Sequence, residues 1–319
     1  MDANIGVTVF CITYNHAKYI AQALDSFVNQ RTNFPVEIVI HDDASTDGTT
    51  EIVKDYAKKY PNIIPIIEEE NMYGKGIILR SLHAFHGKYL AMCEGDDYWC
   101  DLDKLQKQYD ALEANPDCFL CTHRTLVVQA DTQKKLGIFP QFKQKTKKLT
   151  TYEVLSQMGL YGTCYRTSAF FGLNKNFLEY YKTIPEFRKL ADVGDGPLLM
   201  YFCQLGNTYF LNETMSCYRR GVDIGWTTKV AANKEKKLKH FEAWFNCIRS
   251  YDKYTNEKYI KECEQMILYW QFNKELFLGN YCELFSPAYR KILGNQKFKY
   301  KLKLFIKMLK QKLLKSKKD

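Results

Sequence analysis

The first 115 residues alternate regularly between short β-branched apolar runs and stretches with helical periodicity, and this alternation leaves few folds open. Val7–Thr13 (VTVFCIT), Val36–Ile40 (VEIVI), Ile63–Ile67 and Lys88–Cys93 (KYLAMC) read as strands. Between them, Tyr19–Asn29 carries Ile20, Leu24, Phe27 and Val28 at helical spacing. Thr50–Lys59, Ile77–Phe85 and Leu102–Ala114 read as further helices, the last stopped before Pro116. Ser45 and Asp47 are candidate N-caps for the second. Such alternation means βαβ units and a parallel sheet. Strands with nearly continuous apolar runs suit a sheet covered on both faces. The expected fold class is therefore α/β, a Rossmann-like, mostly parallel sheet with helices on both faces.

Further along, the pattern loosens. CFLCTHRTLVV reads as a buried strand, so Cys118 and Cys121 pack as small hydrophobes rather than as half of a zinc site. Gln129–Thr150, rich in Lys and Gln, reads as an excursion. Tyr161–Ala169, Asn207–Leu211 and Thr214–Arg219 read as short strands, and Pro197–Gln204 as a helix. From about Lys234 the sequence is helical. The expected division is an α/β domain over 1–230 and a helical C-terminal region over 231–319.

Charge narrows the function. The net charge is +10, but ten of the 46 basic residues and one of the 36 acidic residues fall within 296–319. That leaves 36 basic and 35 acidic groups on the rest, which is no nucleic-acid platform. No apolar run reaches the ~18 residues of a bilayer span, and MDANIGVTVFC does not read as a signal peptide. The odd count of 11 cysteines, scattered in apolar runs, fits a reducing cytoplasm.

In an open α/β sheet, ligands bind beyond the carboxyl ends of the strands, where strand order reverses. Thr13, Tyr14, Asn15 and His16 follow the first strand; His41, Asp42, Asp43, Ala44 and Ser45 the second; Glu94, Gly95, Asp96, Asp97, Tyr98 and Trp99 the fourth. Five carboxylates on one rim repel unless a cation offsets them. Glu94, Asp96 and Asp97 are hard oxygen ligands suited to Mg²⁺ or Mn²⁺, which fill their shells with phosphate oxygens. A phosphorylated ligand is expected. No GxxxxGK[ST] loop is present and no GxGxxG follows the first strand, so neither a P-loop nor a dinucleotide site is expected.

The ordered set TYNHAKYIAQALDSFVNQ, IVIHDDASTDGT and KYLAMCEGDDYW resembles the family 2 glycosyltransferases of the GT-A fold, over about Ile5 to Trp226. The resemblance implies an inverting, metal-dependent hexosyl- or N-acetylhexosaminyltransferase with a nucleotide-sugar donor, usually a UDP-sugar. Tyr14 matches the aromatic that stacks on the base, flanked by Thr13 and Asn15. Asp42 and Asp43 match the acidic pair that reads base and ribose, and Ser45–Gly48 completes that motif. Glu94-Gly95-Asp96 occupies the D-x-D position, with Asp96 as the direct metal ligand and a glutamate where the family has its first aspartate. Asp195, in ADVGDGPLLMYF, matches the general base, with Asp192 as the competitor; Asp195 is preferred because it directly precedes Gly-Pro. Arg219 and Arg220 resemble the basic segment that faces the diphosphate, although Gly221 stands where many relatives carry a histidine. Trp99 and Trp226 are candidate platforms for acceptor sugar rings, with core packing as the other reading. A nucleotidyltransferase that activates sugars is the nearest alternative, but it needs a basic, Gly-rich loop after the first strand. A non-enzymatic membrane- or nucleic-acid-binding protein is the other, and it has no use for the carboxylate rim.

Residues 297–315 read KFKYKLKLFIKMLKQKLLK, with Phe298, Leu302, Phe305, Leu309 and Leu313 on one helical face. A basic amphipathic helix of low net hydrophobicity lies on anionic membranes, and each lysine near the surface adds ~1 kcal/mol. The expectation is a cytoplasmic enzyme, peripheral on the membrane, acting on a saccharide or lipid-linked saccharide in bacterial surface polysaccharide assembly. The competing reading is a terminal helix docked on the body with a solvated basic face.

Overall fold

The computed structural model describes residues 5–73, 76–140, 145–162, 165–222, 228, 230 and 233–315. The first strands form close to their expected bounds: β1 (Val7–Thr13), β2 (Val36–Asp42), β3 (Ile63–Ile67) and β4 (Tyr89–Met92). So do α1 (Ile20–Val28), α2 (Thr49–Lys59) and α4 (Lys104–Glu113), whereas α3 (Ile77–Ser81) is shorter than the expected Ile77–Phe85 and passes into a 3₁₀ turn, Leu82–Ala84. β1 pairs in parallel with β2 on one side and β4 on the other, and β3 lies outside β2. The chain thus runs outward through β2 and β3, then returns to the far side of β1. Right-handed crossovers put α1 and α2 on one face and α3 on the other. The order reverses between β1 and β4, and their carboxyl ends frame the crevice where such folds bind ligands.

The rest of the sheet is built from β5 (Tyr98–Trp99), β6 (Cys118–Gln129), β7 (Lys135–Phe139), β8 (Lys147–Leu149), β9 (Phe171–Leu173) and β10 (Asn207–Arg220). The order is β3-β2-β1-β4-β9-β6-β10-β5, with β7 on β6 and β8 on β10. β9 is antiparallel to both neighbours, whereas β6 and β10 run parallel. Three expectations shift. The 129–150 excursion holds two short strands. Thr167–Ala169 is a 3₁₀ turn and the strand follows it, at β9. The two segments over 207–219 form one strand whose register slips around the exposed Asn212 and Glu213, a bulge that lets the strand continue.

Both faces of the sheet are buried. Val7, Val9 and Cys11 pack with Ile20, Leu24 and Phe27 of α1, Val53 of α2 and Leu105 of α4. Phe10, one residue out of step, meets Phe85 at 4.8 Å, as the period of a strand requires. Cys118 and Cys121 lie buried, as a strand interior demands.

The chain divides into two compact units, Met1–Thr151 with Tyr165–Ile184 and Tyr201–Ala232, and Tyr152–Cys164 with Pro185–Met200 and Asn233–Asp319. The sheet belongs to the first. The second is helical: α5 (Thr151–Tyr161, all but its first residue), α7 (Glu186–Lys189), α9 (Lys234–Tyr254), α10 (Ile260–Leu278), α11 (Arg290–Gly294) and α12 (Phe298–Lys315). α6 (Asn174–Thr183) lies in the first unit, and α8 (Asp195–Leu205) is shared between the two. The last changeover lies between residues 232 and 233, and two earlier segments belong to the second unit as well. Among the described residues, no helix is long and apolar enough to cross a membrane.

Candidate active site

Backbone hydrogen bonds gather the expected rim around the end of β1. Asp43 N–H donates to Thr13 C=O at 3.0 Å, and Gly95 N–H donates to Ile12 C=O at 2.9 Å. The acidic pair after β2 and the Glu94–Asp97 turn after β4 are therefore stitched to adjacent residues of one strand. Gly95 is required there. A Cβ on it would lie 2.6 Å from Thr13 Oγ1 and 3.0 Å from His16 Nδ1, so no other residue lets the turn approach β1 this closely.

The loop after β1 is held by the loop after β2. Asn15 and Ala44 both take positive φ, 53° and 60°. Asn15 N–H donates to Ser45 Oγ at 2.8 Å, and its Oδ1 accepts Thr46 N–H at 2.8 Å. His16 N–H donates to Thr49 Oγ1 and Ala17 N–H to Asp47 Oδ2, at 2.8 and 3.0 Å. Asp47 also accepts Thr49 N–H and Oγ1–H, and Gly48 turns into α2 at φ 99°. Burial raises the Asp47 carboxyl, but the donors from Thr49 and Ala17 outweigh it and hold it below its usual range. Ser45 and Asp47 thus serve the loop rather than a simple cap.

The two members of the acidic pair part ways. Asp42 is wholly buried; its oxygens accept from the Ser45 and Thr50 hydroxyls and, at 3.2 Å, from Ser45 N–H. That geometry makes it the organiser of the loop. Asp43 Oδ1 accepts Met72 N–H at 2.6 Å, which brings the segment after β3 to the same rim.

The Glu94–Asp97 turn shows a similar division. Glu94 and Asp96 are half-buried at the rim; Asp97 is 1% exposed behind it, its Oδ1 accepting Arg219 N–H at 2.9 Å. Burial, then the neighbouring Asp96 and Glu94, push the Asp97 carboxyl well up. Among the described residues, no three His, Cys, Asp or Glu groups converge on one point. The expected three-carboxylate set is corrected accordingly, because Asp97 is committed inside. Glu94 and Asp96 remain, a hard oxygen pair that fits Mg²⁺ or Mn²⁺ when diphosphate oxygens supply the rest of the shell.

Arg219 is likewise a brace. Only 3% exposed, it donates to Asp96 C=O from one guanidinium nitrogen at 2.5 Å and to Gln22 Oε1 from the other. Its guanidinium lies 5.0 Å from the Tyr19 ring and 4.6 Å from the Tyr98 ring. Arg220, the other basic residue of the expected pair, is exposed at the end of β10. Trp99 is not an acceptor platform: it is 4% exposed, its Nε1–H donates to Ser168 C=O at 3.2 Å, and Phe27 meets it edge-on at 4.7 Å. Trp226 lies outside the described residues. Tyr14 is half-buried beside the rim.

Sequence reasoning missed His16 as a site residue. Its ring lies 3.2 Å from Thr13 Oγ1 and 3.9 Å from Asp96 Oδ2. Burial lowers its pKa against the opposing pull of Asp96, so it is neutral at neutral pH. The Gln22 and Met72 contacts were missed too; they arise from elements far apart in sequence and leave no local signal.

In the second unit, Asp195 opens α8 and its Oδ1 accepts Gly196 N–H at 2.8 Å. A Cβ on Gly196 would meet Trp244 at 2.1 Å, so the start of α8 sits flush on that ring. Asp192 is paired with His240, whose Nδ1 lies 2.9 Å from both carboxylate oxygens.

The profile of glycosyl transferase family 2 matches residues 8–181, more than half of the chain. The chain belongs to this family. Among its relatives, an uncharacterised protein of Mycobacterium tuberculosis is 44% identical over 129 residues, 40% of this chain and 37% of that one. The putative teichuronic acid biosynthesis glycosyltransferase TuaG of Bacillus subtilis is 32% identical over 126 residues, 40% and 49% of the two chains. The abequosyltransferase RfbV of Salmonella typhimurium is 34% identical over 120 residues, 36% and 35%. The aligned part spans less than half the length of each. Among solved structures, S. aureus TarS 1–349 in complex with UDP-GlcNAc superposes with a TM-score of 0.64 at 17% identity, covering 91% of this chain and 79% of that one. The mannosyltransferase PcManGT of Pyrobaculum calidifontis, in complex with GDP-Man and Mn²⁺, gives 0.52 at 15% identity, covering 95% and 86%. The fold is thus shared with proteins of little sequence likeness.

Proposed function

We propose that this family 2 member is an inverting glycosyltransferase that moves a hexosyl or N-acetylhexosaminyl group from a UDP-sugar to a hydroxyl of a saccharide or lipid-linked saccharide, in the assembly of a bacterial surface polysaccharide. One observation carries the reading. Asp43 and the Glu94-Gly95-Asp96 turn meet at the end of β1, at the switch point of the sheet. Carboxylates from two loops beside a half-buried tyrosine match the needs of a base, a ribose and a cation-bound diphosphate. The TarS complexes with UDP and UDP-GlcNAc, and the names of TuaG and RfbV, support the donor and the pathway.

In this reading Tyr14 stacks on the base, Asp43 accepts its N–H, and Thr13, Asn15 and Ser45 shape the loop around it. Mg²⁺ or Mn²⁺ held by Asp96, with Glu94, would neutralise charge on the departing diphosphate. Arg220 adds a guanidinium for phosphate oxygens. Asp195 takes the proton of the acceptor hydroxyl as that oxygen attacks the anomeric carbon from the side opposite the nucleotide, and inversion follows. Asp195 is preferred to Asp192 because it directly precedes Gly-Pro and opens the apolar helix α8.

The test is thermal shift followed by transfer. UDP with Mn²⁺ should stabilise the protein, by about 2.7 kcal/mol at a hundred times Kd, and EDTA should remove the effect. Asp195→Asn should keep the shift and lose transfer by about 10²–10⁴-fold, whereas Asp192→Asn should keep both. Absence of any shift with UDP or GDP, or full turnover by Asp195→Asn, overturns the corresponding part of the reading.

A further inference from the structure

Helix α12 carries two apolar faces, and one of them is packed inside the protein. On the packed face Leu304 and Met308 are buried, Leu304 among Phe272, Leu284 and Ile292. Gln311 fixes this face, its Oε1 accepting Cys282 N–H at 3.1 Å and its Nε2 donating to Gly279 C=O at 2.9 Å. The other face points outward. Phe298, Leu302, Phe305, Ile306, Leu309 and Leu313 are between 43% and 75% exposed, Phe298 most of all. At 3.6 residues per turn these six fall within one arc of about 100°, opposite the arc that holds Leu304 and Gln311. Periodicity alone does not say which stripe docks. The structure docks the narrower one and leaves the larger largely exposed, with Ile306 added to it and the Phe305 ring touching Phe285 edge-on at 5.9 Å.

The borders of the stripe decide what covers it. Lys299, Lys303 and Lys310 run along one edge, and Lys301 and Lys312 along the other. Leu302 and Ile306 share a shallow depression with Lys299, Lys303, Lys307 and Lys310. No acidic residue occurs between Phe298 and Lys315. Lysine is depleted from the centres of protein interfaces, so a protein partner fits this face poorly. A bilayer fits it well: the apolar stripe enters the acyl boundary while the lysine stems reach up to lipid phosphates on both sides.

We propose that α12, still docked through Leu304 and Met308, is an interfacial helix that seats the chain on an anionic lipid bilayer such as the cytoplasmic leaflet. The inference is independent of the sugar-transfer reading, since it concerns a different surface and a different ligand. Deleting the helix would uncover Phe272 and Leu284, so substitution is the cleaner test.

Full-length protein is sedimented with vesicles of phosphatidylglycerol mixed with phosphatidylcholine, and with phosphatidylcholine alone. It should pellet with the first, not the second, and salt should release it. Leu302→Ser/Ile306→Ser/Leu309→Ser should weaken binding by more than about tenfold without lowering the melting temperature, because those side chains are exposed. Lys299→Glu/Lys303→Glu/Lys310→Glu should weaken it by on the order of a hundredfold, roughly fivefold for each lysine. Should the triple serine variant melt early, Leu309→Trp replaces it, and its emission must shift to the blue on anionic vesicles alone. Failure of the wild type to bind anionic vesicles at low salt overturns the proposal. So does equal binding by the serine variant, a tryptophan whose emission does not shift, or a dimer that the serine variant disperses while vesicles are ignored.

Discussion

Lys104 sits at the first position of α4 with its side chain wholly buried, its Nζ 2.6 Å from Gln108 Oε1 and 4.0 Å from the centroid of the Trp99 ring. Burial pulls its pKa down to about 7, against the thiols of Cys93 and Cys121 and the carboxylate of Asp101. An unfolded lysine titrates near ~10.4. Between those values the unfolded chain binds a proton that the folded one does not, so this group makes stability rise with pH from 7 to about 10. Below pH 7 the folded protein carries the buried charge and its full cost, on the order of a few kcal/mol. Lys104→Met should flatten that rise. Urea midpoints of both proteins at pH 6 and pH 9 measure it, and parallel pH profiles would contradict the assignment. Nothing in DLDKLQKQYD marks this lysine as interior, because a charged residue in a first turn normally reads as solvated. The same blindness applies to Asp42 and Trp99: the sequence places both beside the rim, but only packing shows that they turn inward, toward Thr50 and Phe27.

At the scale of elements, the strands and helices that build the binding crevice are legible, because β1 to β4 are apolar and α1, α2 and α4 are periodic. Less legible are β7, β8 and β9. The residues of β7 are mostly exposed and include Lys and Gly, and β8 and β9 have only three residues each. Such strands owe their existence to a neighbour already in place. The strand with the largest consequence for the site is β10, which carries Arg219 from the far part of the sheet to the back of the Glu94–Asp97 turn. Arg219→Met removes the donors to Asp96 C=O and Gln22, and strips the cation from between Tyr19 and Tyr98. The expected loss of stability is about 2–4 kcal/mol, with nucleotide affinity down by more than about tenfold as the turn loosens. Arg220→Ala, at an exposed position, should leave stability within about 0.5 kcal/mol and weaken only the donor. Denaturant midpoints with UDP titration separate the two. An Arg219→Met protein that binds UDP as the wild type does would remove the bracing role.

Over the whole chain, the composition shift near residue 230 is the only boundary that a linear reading can find, and the chain is not organised linearly. The second unit draws on 152–164 and 185–200 as well as on everything after 233. The joining contacts are specific. Phe187, fully buried, lies 5.2 Å from the Tyr251 ring and 5.1 Å from that of Tyr254. Gly159 C=O accepts Gln265 Nε2–H at 3.2 Å, and Gly196 rests on Trp244. Sequence gives no sign of these meetings, because each joins residues more than 45 positions apart and rests on shape rather than on a motif. A truncation after Ala232 keeps every strand and the whole donor rim, yet it leaves 152–164 and 185–200 without their partners. Exposing Phe187 alone forfeits about 1.5–3 kcal/mol, and the paired Asp192 loses His240. The truncated chain should therefore aggregate or melt well below the full-length protein, in spite of the complete sheet. Size-exclusion chromatography and a thermal melt with and without UDP measure this. A monomeric 1–232 fragment that melts cooperatively and is stabilised by UDP would show instead that the α/β domain ends where the composition changes, with the earlier segments as passengers.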